Sequence, residues 1–396
     1  MIEREDLLNY DRAQWVLREN ELDAMLAALP ENWLYLTGQE DTIANTLELP
    51  TLALLTLQPL GLRAVTVPRL SAGFAAAATG HLDEIVLYGD FPVNLESHQL
   101  RELERRTVDL LEDEGRAAAS MPDAVASMLT RCGLERGRIG VDDWSIASML
   151  EERLPSCRCI PGKKLFEQIR VVKTAGEVAR LRAAVSIVEQ LEVLAFEHAS
   201  PGHVWDDFIV ALPKAAAERD ARLGFFSGGA GWRSGYMFPP LAEPIQAGDL
   251  IRLDITISHR GYWADTGRSA SVGTPSREAS ERYRAIRDAV DAAIEAARPG
   301  ASFADLYDAA MRVARGSLTS YRRRHCGHTI GARPYDGLLV APEETTRLEA
   351  NMILNIEVPF YGIGWGGLQL EDTLLITDSG CLPLTKLPRE LVSLHA

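Results

Sequence analysis

Five residues in the second half of the chain have side chains of the kinds that bind divalent metals, and their placement restricts the fold. They are Asp254, Asp265, His328, Glu357 and Glu371, separated by 11, 63, 29 and 14 positions. Asp254 and Glu357 lie within strongly apolar runs, where a carboxylate must be paired or must bind a metal. Two divalent ions would balance the charge of the four carboxylates. The chain must therefore fold so that these five side chains meet.

The local sequence predicts how most of them are presented. Two buried strands, 248–254 and 261–272, would be joined by a hairpin turn at 259–261, which places Asp254 and Asp265 on one face of a sheet. Asp254 would lie near the end of the first strand and Asp265 near the start of the second. Two later strands, 352–359 and 368–378, carry Glu357 and Glu371. The five ligands would thus come from strands and one loop, and the helices would supply none.

The order Asp, Asp, His, Glu, Glu at these spacings resembles the M24 "pita-bread" metallopeptidases, in particular their prolidase, aminopeptidase P and creatinase-like branch. The resemblance is strong over residues 170–396 and looser over 1–165, where the run from Trp33 to Gly38 is similar to a Tyr-Leu-Thr-Gly motif of that branch. It implies an α/β protein of two domains: a creatinase/prolidase-like N-terminal domain, 1–165, and a pita-bread catalytic domain, 170–396. It also implies a homodimer, in which residues 33–45 of one subunit approach the site of the other.

The resemblance implies a role for each ligand. Asp254 would bind one ion, Asp265 and Glu371 would bridge both, and His328 and Glu357 would complete the second site. Glu357 would also carry a proton between a metal-bound hydroxide, which attacks an amide, and the leaving group. Oxygen-rich ligation with one imidazole favours Mn²⁺ or Zn²⁺, with Co²⁺ or Fe²⁺ as alternatives.

Two positions depart from the peptidase pattern. Prolidase and aminopeptidase P have substrate-contacting histidines where this chain has Met237 and Tyr335, and His325 lies at the wrong offset to replace either. Tyr335 would donate a hydrogen bond in place of an imidazole, form an acid–base pair with Asp336, or serve only as an aromatic wall. Gly267 also stands where threonine is usual, although the next arginine is retained.

Several further residues are candidate substrate contacts. Arg324 lies in the basic run 321–325 just before His328, and guanidinium groups suit carboxylates. Glycine-rich segments surround Trp232 and Trp365. For each tryptophan, simple packing is the alternative to a place in the pocket. Of the remaining candidates, Met237 occupies one of the two lost histidine positions and Tyr236 precedes it.

Composition limits the partners. With a net charge of −15, the chain lacks the basic surface that a nucleic-acid partner requires. No apolar run approaches the roughly 20 residues that span a bilayer, so no membrane association is expected. Five cysteines and a polar start predict reduced thiols in a cytoplasmic protein. The expected partner is a small molecule or a dipeptide.

Residues 1–165 show alternating strand and helix patterns. They predict a helix over 2–29, strands over 33–38, 51–57, 63–68, 84–88 and 138–142, and a helix over 96–130. After a domain boundary near 160–175, Thr174 and Glu177 form a capping-box pattern at the start of a helix, 175–198.

Three hypotheses follow. The first is a dinuclear metal-dependent hydrolase that resembles Xaa-Pro dipeptidase or aminopeptidase P. The second, favoured by Met237 and Tyr335, is a non-peptidase relative acting on a small metabolite, by C–N hydrolysis like ectoine hydrolase or by elimination like the dimethylsulfoniopropionate lyase of this fold. The third is a non-catalytic binding module.

Overall fold

The computed structural model describes residues 7–78, 82–96, 99–239 and 243–395. The chain divides into two compact units, Met1–Arg170 and Val171–Ala396. Within the described residues, no helix combines the length and the apolar character needed to cross a bilayer. The five cysteines are free thiols, as expected.

The first unit is a seven-stranded mixed sheet with helices packed on it. Its strands are β1 (Ala24–Ala27), β2 (Leu52–Thr56), β3 (Arg63–Pro68), β4 (Glu84–Tyr88), β5 (Ala117–Ala118), β6 (Arg138–Val141) and β7 (Arg158–Pro161). Its helices are α1 (Tyr10–Glu19), α2 (Pro30–Thr37), α3 (Thr42–Thr46), α4 (Ala72–Ala78), α5 (Glu102–Glu112), α6 (Met121–Arg131), α7 (Trp144–Arg153) and α8 (Lys163–Arg170), with 3₁₀ turns at Arg69–Ser71 and Glu114–Arg116. The strand order is β5-β4-β3-β2-β1-β6-β7, with β2 antiparallel to both neighbours and the other pairs parallel.

Three sequence predictions in this unit are wrong. The run from Trp33 is helix α2 and not a strand, with Pro30 in its first turn and Gly38 ending it at φ 74°. All the residues from Trp33 to Thr37 are buried, and a short apolar run without periodicity does not distinguish a strand from a buried helix. Residues 2–6 of the predicted helix over 2–29 lie outside the described residues. The observed helix runs from Tyr10 to Glu19, and the buried segment Ala24–Ala27 pairs instead as a central strand. The predicted helix over 96–130 is two helices, α5 and α6.

The second unit is built on an antiparallel sheet that carries the candidate ligands. Its strands are β8 (Ala221–Ala230), β9 (Leu250–His259), β10 (Tyr262–Val272), β11 (Gly327–Thr329), β12 (Ile353–Glu357), β13 (Phe360–Gly362), β14 (Gly366–Leu368), β15 (Glu371–Ile376), β16 (Cys381–Pro383) and β17 (Val392–Leu394). Its helices are α9 (Ala175–His198), α10 (Asp206–Ala217), α11 (Arg277–Ala296) and α12 (Phe303–Ser317), with a 3₁₀ turn at Gly231–Gly235. The main strand order is β11-β12-β15-β10-β9-β8, with β16 on β15 and β17 parallel to β10.

Helix α9 confirms its predicted start. The Thr174 hydroxyl accepts a hydrogen bond from the Glu177 backbone amide, and the Glu177 carboxylate accepts one from the Thr174 amide. The helix packs on β9 and β10 through a face that includes Leu181, Ala184 and Val188. Helices α11 and α12 bury a second cluster together with β12, β14 and β15. This packing fixes the four central strands that carry the site.

Candidate metal centre

Strand register brings the ligands into one row across the sheet. Asp254 of β9 lies opposite Gly267 of β10, which in turn lies opposite Glu371 of β15. Glu371 also lies opposite Glu357 of β12. Directly opposed residues on one face have Cβ atoms about 5 Å apart. Three of the predicted ligands and one glycine therefore follow one another across four strands.

A neighbouring row supplies the other two ligands. Asp265 lies opposite Thr256, and His328 of β11 lies opposite Asn355 of β12. Asp265 precedes Gly267 by two positions, so both residues face the same side of the sheet.

The β9–β10 hairpin turns at Arg260 and Gly261, whose φ angles of 49° and 79° suit a two-residue hairpin turn. The hairpin prediction is confirmed. The predicted position of Asp254 near the end of its strand is wrong, because β9 continues to His259, whereas Asp265 lies near the start of β10 as predicted.

Three of the five side chains form a compact buried cluster. The ligand atoms of Asp265, His328 and Glu371 all lie within 4.8 Å of one another. His328 Nε2 is 3.9 Å from Asp265 Oδ2 and 3.7 Å from Glu371 Oε1. His328 Nδ1 lies 3.3 Å from the Thr329 carbonyl oxygen, a contact in which Nδ1 carries the proton and leaves Nε2 as the ligand atom. Two carboxylates and one imidazole nitrogen at this spacing fit a divalent ion.

Hydrogen bonds hold the carboxylates in place. The Thr256 hydroxyl donates to Asp265 Oδ1 at 3.0 Å, and Asn355 Nδ2 donates to Glu371 Oε1 at 2.9 Å. Gln369 Nε2 donates to Glu371 Oε2 at 3.3 Å. Such outer partners orient ligating carboxylates before a metal arrives.

The site concentrates negative charge away from water. Burial, followed by the charges of Glu371 and Glu357, raises the pKa of Asp254 well above its ordinary value. Burial and the charges of Glu371 and Asp254 do the same to the pKa of Asp265. Because bringing carboxylates together without a cation is unfavourable, this arrangement favours a cation between them.

Two arginines and a histidine that were not among the predicted site residues lie beside the outer carboxylates. Arg323 Nη2 is 2.8 Å from Glu357 Oε1, and His325 Nδ1 is 3.6 Å from the same oxygen. Arg252 Nη1 lies 4.0 Å from Asp254 Oδ2. The sequence contained a signal for Arg252: it precedes Asp254 by two positions, and residues two apart in a strand face the same side of the sheet. The predicted contact Arg324 is exposed, and a different arginine of the same basic run, Arg323, faces the centre.

Tyr335 and Asp336 have different surroundings. The Tyr335 ring stacks on the His328 imidazole with 3.8 Å between ring centroids, and 47% of the residue remains exposed. Burial and the nearby carboxylates raise the pKa of its phenol. Asp336 is buried, and its Oδ2 lies 3.3 Å from Lys173 Nζ. This ion pair supports a role for Asp336 in anchoring the segment that carries Tyr335, and the acid–base pair stays a prediction.

The aromatic candidates separate into exposed and packed residues. Trp232, Tyr236 and Met237 are exposed. Trp365 packs instead: it is half-buried, with the Arg282 guanidinium 4.1 Å from its ring centroid. Besides Tyr335, the Tyr361 ring also lies beside the charged centre, where the Arg252 and Arg323 guanidinium groups approach it to 5.0 and 5.7 Å.

The packing of a neighbouring side chain explains why position 267 is a glycine. A Cβ atom built at this position would lie 2.3 Å from Gln369 Cγ, so the glutamine side chain occupies the space that a threonine would fill. Gly267 thus allows Gln369 to reach Glu371. This explains the departure from the family pattern at this position.

We expect Gly267→Ala to destabilise the protein by about 1–3 kcal/mol, as overpacking of a filled core does. Adding Gln369→Ala should restore part of that loss, because it removes the clashing side chain. Urea unfolding of both single variants and the double variant measures the coupling. Strictly additive losses would show that the two side chains do not compete for this space.

Known proteins resemble the chain over both units. Residues 179–378 match the model of metallopeptidase family M24, and residues 10–172 match the creatinase/prolidase N-terminal domain. A probable dipeptidase PepE of Mycobacterium tuberculosis is 25% identical over 365 residues, covering 82% of this chain and 95% of that protein. An Xaa-Pro dipeptidase of Pyrococcus horikoshii is 26% identical over 232 residues, covering 58% and 66%.

Solved structures share the fold. The dipeptidase PepE from Mycobacterium ulcerans superimposes with a TM-score of 0.77 at 22% identity, covering 98% of this chain and 97% of that one. The prolidase from Pyrococcus furiosus gives 0.74 at 19% identity, covering 95% and 99%. The predicted two-domain α/β fold is confirmed. The chain belongs to metallopeptidase family M24 and joins a creatinase/prolidase N-terminal domain to a C-terminal pita-bread domain.

Proposed function

We propose that the protein is a metal-dependent hydrolase that cleaves the amide bond of a small substrate such as an Xaa-Pro dipeptide. The observation that carries the proposal is the convergence of Asp265, His328 and Glu371 within 4.8 Å on a sheet face that also carries Asp254 and Glu357. The relatives named as dipeptidases support an amide substrate.

The five side chains would hold two divalent ions, for which we favour Mn²⁺ or Zn²⁺. Bound there, such ions polarise a carbonyl group and activate water. Glu357, at the end of the ligand row, would accept a proton and pass it to the leaving nitrogen. Arg323 beside it holds that carboxylate in place.

The surroundings suit a short peptide. Arg323, which already pairs with Glu357, adds positive charge that would attract a terminal carboxylate. Tyr335 presents a half-exposed phenol directly over the ligand His328, where it would donate a hydrogen bond to the reacting carbonyl. Tyr236 and Met237 provide an exposed aromatic and apolar surface for a side chain. The homodimer and the cytoplasmic location stay predictions.

A panel of substrates tests this function. Protein loaded with Mn²⁺ or Zn²⁺ would be incubated with Xaa-Pro dipeptides, dipeptides without proline, a cyclic amidine and a β-sulfonium carboxylate, and the products would be followed by mass spectrometry. Release of free amino acids from dipeptides is expected. Turnover of the cyclic or sulfonium compound alone would favour the small-metabolite alternative, which the replacement of both peptidase histidines by Met237 and Tyr335 supports.

Tyr335→Phe examines the reaction more closely. It keeps the ring stacked on His328 and removes only the hydroxyl. We expect kcat to fall about 10- to 100-fold with little change in KM, because a hydrogen bond made in the transition state is lost. Metal content and melting temperature should match the parent protein. An unchanged kcat would make Tyr335 a wall residue.

A further inference from the structure

We propose that a groove on the first unit, between helices α4 and α5, is a docking site for a basic amphipathic helix of a partner protein. This α4–α5 groove has a volume of about 1120 Å³. It lies at the carboxyl ends of the parallel strands β3 and β4, the edge at which open α/β sheets form their binding crevices. All its lining residues belong to the first unit, so the proposal is independent of the proposed hydrolase function.

The walls of the α4–α5 groove are mostly apolar. Helix α5 contributes Leu103, Val108 and Leu111 to one wall, and α4 contributes Phe74 to the other. Within α5, all of which the structure describes, only Leu110 is buried. An amphipathic helix normally buries its apolar stripe against a core. Helix α5 therefore leaves part of that stripe open to an occupant of the groove.

The segment that follows β4 extends this apolar surface. Phe91, Val93 and Leu95 from that segment, together with Leu103, line the groove and are each between 43% and 57% exposed. Contiguous exposed apolar surface of this kind marks interaction sites on soluble proteins.

The walls suit a helix better than an extended peptide. Among the described residues that line the groove, none belongs to a strand, so an extended peptide would find no sheet edge to pair with. A helix satisfies its own backbone hydrogen bonds and lays its apolar face into such a groove through side chains at i, i+3, i+4 and i+7.

The rim of the groove favours a basic occupant. Four exposed carboxylates lie among the lining residues: Asp90, Glu96, Glu104 and Glu112. In the described part of the chain, none of the four forms an ion pair with a lysine, arginine or histidine. Two arginines also line the groove, but the Arg69 guanidinium already donates to the Leu111 carbonyl at 2.7 Å, which leaves Arg101 against four acids. Lysine or arginine beside the apolar face of a helix would complement this rim.

The charge of the whole chain disfavours a second copy as the occupant. The chain has 56 acidic residues against 41 lysines and arginines, a net charge of −15. A second copy would bring a predominantly acidic surface to an acidic rim, and like charges across an interface oppose association. The same field attracts a basic partner at long range.

Gly73 permits a variant that fills the groove without disturbing the fold. It lies within α4 and lines the groove, and a Cβ atom built there meets no heavy atom within 4 Å. Gly73→Leu would therefore place a side chain in the groove while replacing a helical glycine with a better helix former. Gly316→Leu is the matched control, because Gly316 lies in α12 of the second unit and a Cβ atom there is equally free.

Selection of peptides on the full-length protein tests the proposal. Random peptides displayed on phage, long enough for about four helical turns, would be selected at physiological salt, and the selected peptides would be measured by fluorescence anisotropy. We expect sequences with lysine or arginine beside apolar residues at helical spacing. Gly73→Leu should weaken their binding by roughly tenfold or more, and Gly316→Leu should bind as the parent does. Glu96→Lys combined with Glu112→Lys should weaken binding similarly and reduce its salt dependence.

Several results would overturn the proposal. Failure to select any peptide, selection of acidic or neutral peptides, or equal binding to the parent and a folded Gly73→Leu would each do so. Sedimentation that showed a parent dimer converted to a monomer by Gly73→Leu would assign the groove to a second copy. Binding of a long-chain fatty acid that Gly73→Leu abolished would assign it to a small apolar ligand. The two charge-reversal substitutions test the proposal even if Gly73→Leu does not fold, because unchanged peptide binding in that double variant would also contradict it.

Discussion

Asp265→Ala is expected to lower metal content sharply and to reduce kcat/KM on any substrate by roughly three orders of magnitude. Asp265 Oδ2 faces His328 Nε2 at 3.9 Å, inside the compact cluster, so its removal would take away one of the three side chains proposed to hold the metal. Metal catalysis supplies several kcal/mol of transition-state stabilisation, and about 1.4 kcal/mol corresponds to a tenfold change in rate.

Elemental analysis of the purified variant, together with its steady-state kinetics, measures this loss. Asp378→Ala is a suitable control. Asp378 is exposed just after β15, so this substitution makes the same chemical change outside the centre. The control should retain metal and activity. An Asp265→Ala protein that kept the metal content and kcat/KM of the parent would contradict the assignment of the site.

The ligand hairpin was predictable because its signals are local. Asp254 lies in a continuous apolar run, and the segment from His259 to Gly261 combines a polar turn with glycine. Two strands joined by so short a turn must pair with each other, which brings Asp254 and Asp265 to one sheet face.

The rows across the sheet depend on pairings that no local signal determines. Gly267 lies opposite Glu371 although 104 positions separate them in the chain. Only this pairing reveals that Gln369 fills the space above Gly267 and reaches a ligand. From the sequence, the glycine was only a departure from a family pattern.

Arg323 was missed for a related reason. The segment between α12 and β11 is irregular, so neither strand alternation nor helical periodicity indicates which residue of the basic run faces inward. The adjacent arginines Arg322 and Arg324 are exposed. In such a segment, the direction of each side chain depends on tertiary contacts, here the ion pair with Glu357.

The metal-free protein is expected to lose stability as pH rises, and bound metal should remove much of that dependence. The pKa values of Asp254 and Asp265 are raised in the folded state, chiefly by burial. Between the ordinary pKa near 4 and the raised value, the folded state therefore binds more protons than the unfolded state. The free energy of unfolding then falls with increasing pH over that interval, by about 1.4 kcal/mol for each unit by which a pKa is raised.

Melting temperatures measured from pH 5 to pH 8, with a chelator or with saturating Mn²⁺, test this expectation. The metal-free protein should melt several degrees lower at pH 8 than at pH 5, since about 1 kcal/mol shifts the melting temperature of a 150–250-residue unit by about 2–4 °C. Asp265→Asn should reduce the slope because it removes one of the raised groups. Burial also raises the pKa of Glu177 to about 7 and that of Glu192 to about 8, and neither is a proposed ligand, so a smaller slope should persist with Mn²⁺. A metal-free protein that became more stable from pH 5 to pH 8 would contradict the raised pKa values of Asp254 and Asp265 in the folded state.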